Sequence, residues 1–246
     1  MIFNASKFVF KVPSAISRAR RVLIKPNASN SLPYPVTTSR ELLSLIIDGI
    51  RQVSDADILL LDGTPGGDPI YPIYKALGYD FPRVILLDVK DCIWVEVDNP
   101  LPKPLAVSTF VIPNVILSSD YLISVTPLKI VKDMASLSVM NLLSLLPSSK
   151  YGGEIGEGGW PALYNLGIDK VVTDLYFTLP FDLGIIEGRQ KFVSQENSTR
   201  GEIEKYDKVF VDEPYQVDTE AVQALSIKTN YLEWINEAKM EFEGEG

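Results

Sequence analysis

Apolar residues fall into two kinds of run in this chain, and their order predicts strands alternating with helices. Val22-Leu23-Ile24, Ile58-Leu59-Leu60-Leu61, Val84-Ile85-Leu86-Leu87 and Tyr121-Leu122-Ile123-Ser124-Val125 are short and lack a polar-apolar alternation, as expected of strands covered on both faces. Between the first two, Leu42, Leu43, Ile46, Ile47, Ile50 and Val53 recur every three or four residues and predict a helix over 38–55. Thr38 and Glu41 have the Thr-x-x-Glu spacing of a capping box, which would place the helix start at Thr38. Strand, helix and strand in that order imply a right-handed parallel crossover.

The rest of the chain extends this pattern. Lys7 to Val12 alternates like a half-buried strand, and Ala15 to Arg20 reads as a short helix. Helices are expected over Ile70–Leu77 (ended by Gly78), Asp133–Leu146 (stopped by Pro147), Pro161–Leu179 in one or two pieces, Val217–Ile227 and Asn230–Met240. Leu183–Ile186 and Lys208–Val211 read as further strands, and Thr126-Pro127 closes the strand that starts at Tyr121. In 93–112 two alternating stretches flank a Pro-rich turn, which predicts an antiparallel hairpin-like insertion. Residues 148–160 hold a Gly-rich stretch, expected to be a mobile loop, whether as a connector or as a lid. The fold class that follows is α/β: one domain over 1–246, with a mainly parallel sheet flanked by helices.

Composition narrows the chemistry. There is one cysteine and no histidine, so an iron-sulfur cluster, a structural zinc site or a histidine-based triad cannot be built within this chain. Cys92 stands in an apolar context and reads as an inert buried thiol. A net charge of -9 argues against a nucleic-acid partner, although residues 1–40 hold seven basic residues and no acid. That basic stretch either steers an anion or docks on the acidic remainder of the protein. No apolar run is long enough for a membrane span and no signal-peptide core is present, so the expected location is cytoplasmic, with no membrane partner.

The expected strands end in Lys25, Asp62, Asp88, Lys129, Glu187 and Asp212. In open parallel sheets ligands bind outside the carboxyl ends of the strands, where the strand order reverses. A lysine after Ile24, hydroxyls at Thr37, Thr38 and Ser39, and a free helix start would together suit an anion. The candidate ligand-binding set is therefore Lys25, Asn27, Thr37, Thr38, Ser39, Asp62, Thr64, Lys129 and Glu187, and the ligand expected is small and anionic, bearing a carboxylate or phosphate. The loop from Asp62 to Pro69 is neither a phosphate-binding loop nor a dinucleotide fingerprint, and both a tight turn and a ligand contact stay open for it. Asp62 and Glu187 are also candidates for proton transfer or metal binding, and with Asp212 they form a minor magnesium alternative.

Ile24-Lys25-Pro26-Asn27, Thr37-Thr38-Ser39 ahead of a helix, the run from Tyr121 to Lys129, Asn141-Leu142, and Asp218 within Val217-Asp218-Thr219 occur in an order that resembles the domain of unknown function 362 family. The resemblance spans nearly the whole chain and implies an α/β protein without an assigned reaction, of a kind sometimes fused to ferredoxin-like segments. The sequence departs from the family pattern at Ile130-Val131, where a threonine and a histidine are typical, and at Met140, where a lysine is typical. Ile186-Glu187-Gly188 is similar to the family's Ile-Asp-Gly, and the cluster cysteines are absent. Two readings follow: a small-molecule-binding protein, enzymatic or not, or a non-catalytic module that docks on a partner.

Overall fold

A computed structural model describes residues 1–132, 134–151 and 160–244. Ten strands form β1 (Ile2–Asn4), β2 (Arg21–Lys25), β3 (Asp57–Asp62), β4 (Val84–Asp88), β5 (Trp94–Asp98), β6 (Thr109–Pro113), β7 (Tyr121–Val131), β8 (Met134–Ser136), β9 (Leu183–Asn197) and β10 (Arg200–Asp212). The α-helices are α1 (Arg40–Val53), α2 (Tyr71–Ala76), α3 (Asn114–Leu117), α4 (Ser148–Tyr151), α5 (Pro161–Asn165), α6 (Ile168–Thr178), α7 (Pro214–Leu225) and α8 (Asn230–Gly244).

Eight strands make one sheet in the order β1-β10-β9-β7-β2-β3-β4, with β8 attached to β7. Strands β4, β3, β2, β7 and β9 run parallel, whereas β10 is antiparallel to β9 and to β1. β5 and β6 pair antiparallel as a separate two-stranded sheet, which is the hairpin-like insertion expected over 93–112. From β2 the chain steps outward through β3 to β4, then returns to lay β7 and β9 on the other side of β2. The order therefore reverses at the β2/β7 boundary, and the carboxyl ends at such a reversal are the usual position of ligands in open α/β sheets.

Side chains alternate across this sheet with period two and supply two cores. Val22, Ile24, Ile58, Leu60, Ile123 and Val125 face α1 and α2, while Leu23, Leu59, Leu61 and Leu122 face the layer that contains α6, α7 and α8. Helix α1 buries Leu42, Leu43, Ile46, Ile47 and Ile50, the stripe read from its periodicity. Its N-cap is Ser39, whose Oγ accepts from Leu42 N at 3.0 Å, so the capping box expected at Thr38 does not form. Thr38 is instead held inward, accepting from Asn27 N and donating to Val125 O.

Several elements differ from expectation for physical reasons. Residues 8–12 form no strand: their alternation places Phe10 against α1 at Gly49, while Val9 stays 67% exposed. The short helix expected at 15–20 is a 3-10 turn, Ser14–Arg18. Pro127 does not end β7, because it coincides with a register shift in the β7/β9 pairing, where the missing N–H breaks no regular ladder. The helix expected over 133–146 is replaced by β8 and a 3-10 helix, Met140–Leu145. Its leucines are buried on successive positions rather than on one stripe, since Leu137, Leu142, Leu143, Leu145 and Leu146 all lie in the core. β4 is a terminal strand, and Ile85 on it is 48% exposed. The glycine-rich segment 152–159 lies outside the described residues.

Candidate functional site

β2 and β3 end side by side in parallel register, which sets Lys25 beside Asp62 at the carboxyl edge. Lys25 has no exposed surface, and its Nζ donates to Pro26 O at 2.6 Å, Asp62 Oδ1 at 2.9 Å and Asn141 Oδ1 at 3.1 Å. Asp62 is equally buried and accepts in addition from Ala28 N at 2.7 Å, Gly63 N at 2.9 Å and Ser144 Oγ at 2.5 Å. Burial pushes the Lys25 ammonium down, and the Asp62 carboxylate opposes that.

The second lysine is held quite differently. β7 runs six residues past Val125, and this overhang carries Lys129 to the same edge. Its Nζ makes a single hydrogen bond among the described residues, to Asn27 Oδ1 at 3.4 Å, although the side chain is only 3% exposed. Asn27 Oδ1 also accepts from Ser29 Oγ at 3.2 Å, and Asn27 Nδ2 donates to Asn141 Oδ1 at 3.2 Å. A polar chain thus runs from Lys129 through Asn27 and Asn141 to Lys25 and Asp62. Burial, followed by the charge of Lys25, lowers the Lys129 ammonium to about 8, with Asp62 opposing.

A separate cluster occupies the start of α1. Ser39 N and Oγ donate to Glu187 at 3.3 and 2.8 Å, and the Arg189 guanidinium binds the same carboxylate through Nε at 2.7 Å and Nη2 at 2.5 Å. The helix start is therefore not free: a carboxylate of the protein already takes the place favoured by the helix dipole. Burial raises the Glu187 carboxyl, while Arg189 and Ser39 oppose that rise. Arg189 also stacks on the Tyr34 ring at 5.0 Å and borders an open cleft of about 590 Å³ together with Ser39, Arg40 and Leu77.

A model of the family described as "Domain of unknown function (DUF362)" matches residues 22–223. The chain belongs to this family. Among solved structures, this DUF362 member is similar in fold to the lactate racemase apoprotein from Thermoanaerobacterium thermosaccharolyticum, with a TM-score of 0.54, 15% identity, and coverage of 91% of this chain and 53% of that one. The chain thus spans about half the length of that protein, and at this identity the likeness is one of fold. Comparison with curated proteins gave no match.

Within the DUF362 fold, the residues singled out from sequence separate into groups. Lys25, Asn27, Asp62 and Lys129 come together, and Thr38 fixes the backbone of Asn27. Ser39 and Glu187 meet each other, whereas Thr37 donates to Leu32 O at 2.6 Å and Thr64 donates to Asp68 O at 2.7 Å within its own turn. Asp212 does not join them. β10 runs antiparallel, so Asp212 lies opposite Gly184 near the start of β9 and pairs with the N-terminal ammonium at 3.1 Å. Among the described residues no three His, Cys, Asp or Glu side chains come together as a metal-binding group, which leaves the magnesium alternative through Asp62, Glu187 and Asp212 without a site. No described helix is long and apolar enough to cross a membrane.

Asn141 and Arg189 were absent from the candidate set, yet each is central to one cluster. Asn141 was legible only as part of the Asn141-Leu142 motif, and Arg189 only through its place two residues after Glu187 in a strand read as too short. Cys92 is half-buried, and burial raises its thiol to about 11, which keeps it protonated and unreactive near neutral pH.

Ser39→Ala removes both the cap of α1 and a hydrogen bond to Glu187. The expected cost is about 1–2 kcal/mol, measurable as a shift of the denaturant midpoint with an unchanged slope. An unaltered midpoint would show that neither interaction contributes.

Proposed function

We propose that this protein binds a small anion, bearing a carboxylate or a phosphate, at the carboxyl edge of the sheet beside Lys129 and Asn27. In this reading Lys25 and Asp62 set the local field and Thr38 holds Asn27 in place, while Thr37, Ser39, Thr64 and Glu187 are engaged elsewhere along the edge. The observation that carries it is a charge imbalance. Two ammoniums, Lys25 and Lys129, lie in one hydrogen-bonded chain with one carboxylate, Asp62, and only Lys25 touches it. A buried cation without a counter-charge is costly, and an anion at Lys129 would offset that cost. The site also lies where the strand order reverses, the usual position of ligands in open α/β sheets. The fold neighbour is named a lactate racemase, and lactate is itself a small carboxylate, which fits the ligand class.

A thermal-shift screen of phosphate, simple carboxylates and nucleotides tests this reading. At least one anion is expected to raise the melting temperature of the wild type and to leave Lys129→Met unmoved, with a neutral analogue inactive on both. A ligand present at 100 times its Kd stabilises by about 2.7 kcal/mol, a shift well above the error of the method. Equal responses from wild type and variant would remove Lys129 from the site. The partner-docking reading has one observation in its favour, the terminal strand β4 with its exposed Ile85. It predicts no anion response at all.

A further inference from the structure

We propose that Lys129 is an imine-forming lysine, and that the anion held at this edge is a carbonyl compound carrying a carboxylate, of the 2-oxo acid class. This rests on the anion-binding reading of the same site and adds a covalent step to it.

The contrast between the two lysines is the starting point. Lys25 is saturated: its three donors meet Pro26 O, Asp62 and Asn141, so its nitrogen has no lone pair to offer and no room to turn. Lys129 is buried to a similar degree but, among the described residues, has one hydrogen bond, at the long limit of 3.4 Å, and no carboxylate in contact. An amine nucleophile needs that combination, with the nitrogen shielded from water, close to a second cation and free of a salt bridge that would lock its proton on. Burial and the nearby Lys25 favour the uncharged amine, consistent with its lowered proton affinity. Asn27, the hydrogen-bond partner of Lys129, is 9% exposed, and Ser29, which donates to Asn27, is half-buried.

The step balances without an added reactant. The amine nitrogen forms a bond to the carbonyl carbon, and the carbonyl oxygen leaves as water with the two protons that the ammonium form of Lys129 gives up. The remaining nitrogen proton stays on the imine, so the product is an iminium with the same charge as the ammonium it replaces. The ligand carboxylate offsets that charge before and after the bond forms. Anion binding and imine formation are thus compatible at one position.

Reductive trapping tests the proposal. The protein is incubated with pyruvate and sodium borohydride, and the modified residue is located by peptide mapping; acetone, which has the carbonyl but no charge, serves as the control. Pyruvate is expected to label Lys129 at least ten times faster than any other lysine, with labelling that accelerates as pH rises toward 8 and with acetone far slower. Lys129→Arg, which keeps the charge and removes the nucleophile, should lose the label. Labelling spread evenly over exposed lysines overturns the imine, even if carboxylates still stabilise the protein. A protein that neither labels at Lys129 nor responds to carboxylates overturns the imine and the anion site together. The mapping is done on the wild type, so the result does not depend on the variant folding.

Discussion

Asp62→Asn is expected to cost about 3–5 kcal/mol of folding free energy at neutral pH, the loss typical of removing one partner from a buried ion pair. Asparagine has nearly the same shape and its amide oxygen can keep the hydrogen bonds that Oδ1 takes from Lys25, Gly63 N and Ser144 Oγ, but its amide nitrogen cannot accept from Ala28 N, and the negative charge beside Lys25 is gone. Two buried ammoniums would then share one hydrogen-bonded chain that holds no carboxylate. Lys25→Met should cost less, because Asp62 keeps its hydrogen bonds from Ala28 N, Gly63 N and Ser144 Oγ. Combining the two changes should lose less than the sum of the single losses, as expected of coupled neighbours. The Asp62→Asn deficit should also shrink in alkaline solution. Asp62 raises the proton affinity of both lysines, so its loss lowers them further, and a lysine that binds fewer protons folded than unfolded gains stability as pH rises toward the unfolded value of about 10.4. Denaturant titrations at pH 7 and pH 9 measure all of this. A loss below 1 kcal/mol for Asp62→Asn would mean that Lys25 and Asp62 do not form a charged, dry contact.

The second large effect concerns Asp218, which has no exposed surface and accepts from Ser138 N at 2.8 Å, Val139 N at 2.9 Å and Tyr231 Oη at 2.9 Å. It ties α7 to α8 and to the turn that leads into the 3-10 helix bearing Asn141. Burial pushes its carboxyl up to about 7, with the three hydrogen bonds opposing. A carboxyl raised in the folded state binds protons more tightly there than in the unfolded chain. Its contribution is complete below the unfolded value near 3.9 and is lost as pH rises through about 7. Relative to Asp218→Asn, which does not titrate, the wild type should lose on the order of 2–4 kcal/mol between pH 4 and pH 8. Parallel stability curves for the two proteins across that range would contradict the assignment.

How much of this was readable beforehand depended on what each signal measures. The continuous apolar runs at Val22, Ile58 and Val84 became β2, β3 and β4 because strands inside an α/β sheet need little besides β-branched or leucine side chains. Ends were harder. β7 and β9 run on past Pro127 and Glu187, since pairing between them holds residues whose local composition looks like loop. Met134 to Leu146 failed for a related reason: leucines buried in a layer on successive positions imitate a helix stripe. Lys25 and Asp62 were legible at the site because a charged residue directly after an apolar strand has few other places to go. Their mutual contact was not legible, as it requires the β2/β3 register. The occupation of the α1 start by Glu187 also depends on a pairing 148 residues apart in sequence, which local spacing does not encode.

That occupation limits what can discriminate among ligands. With Glu187 seated on Ser39, the field of the helix is answered inside the fold, and under the proposed reading an anion would meet the charge of Lys129 in place of a doubled positive potential. A singly charged acid, a carboxylate or a phosphate in its monoanionic form, would restore neutrality there, whereas a dianion would bring one negative charge too many into a dry site. Valence, more than shape, is then the property by which this edge would sort its ligands.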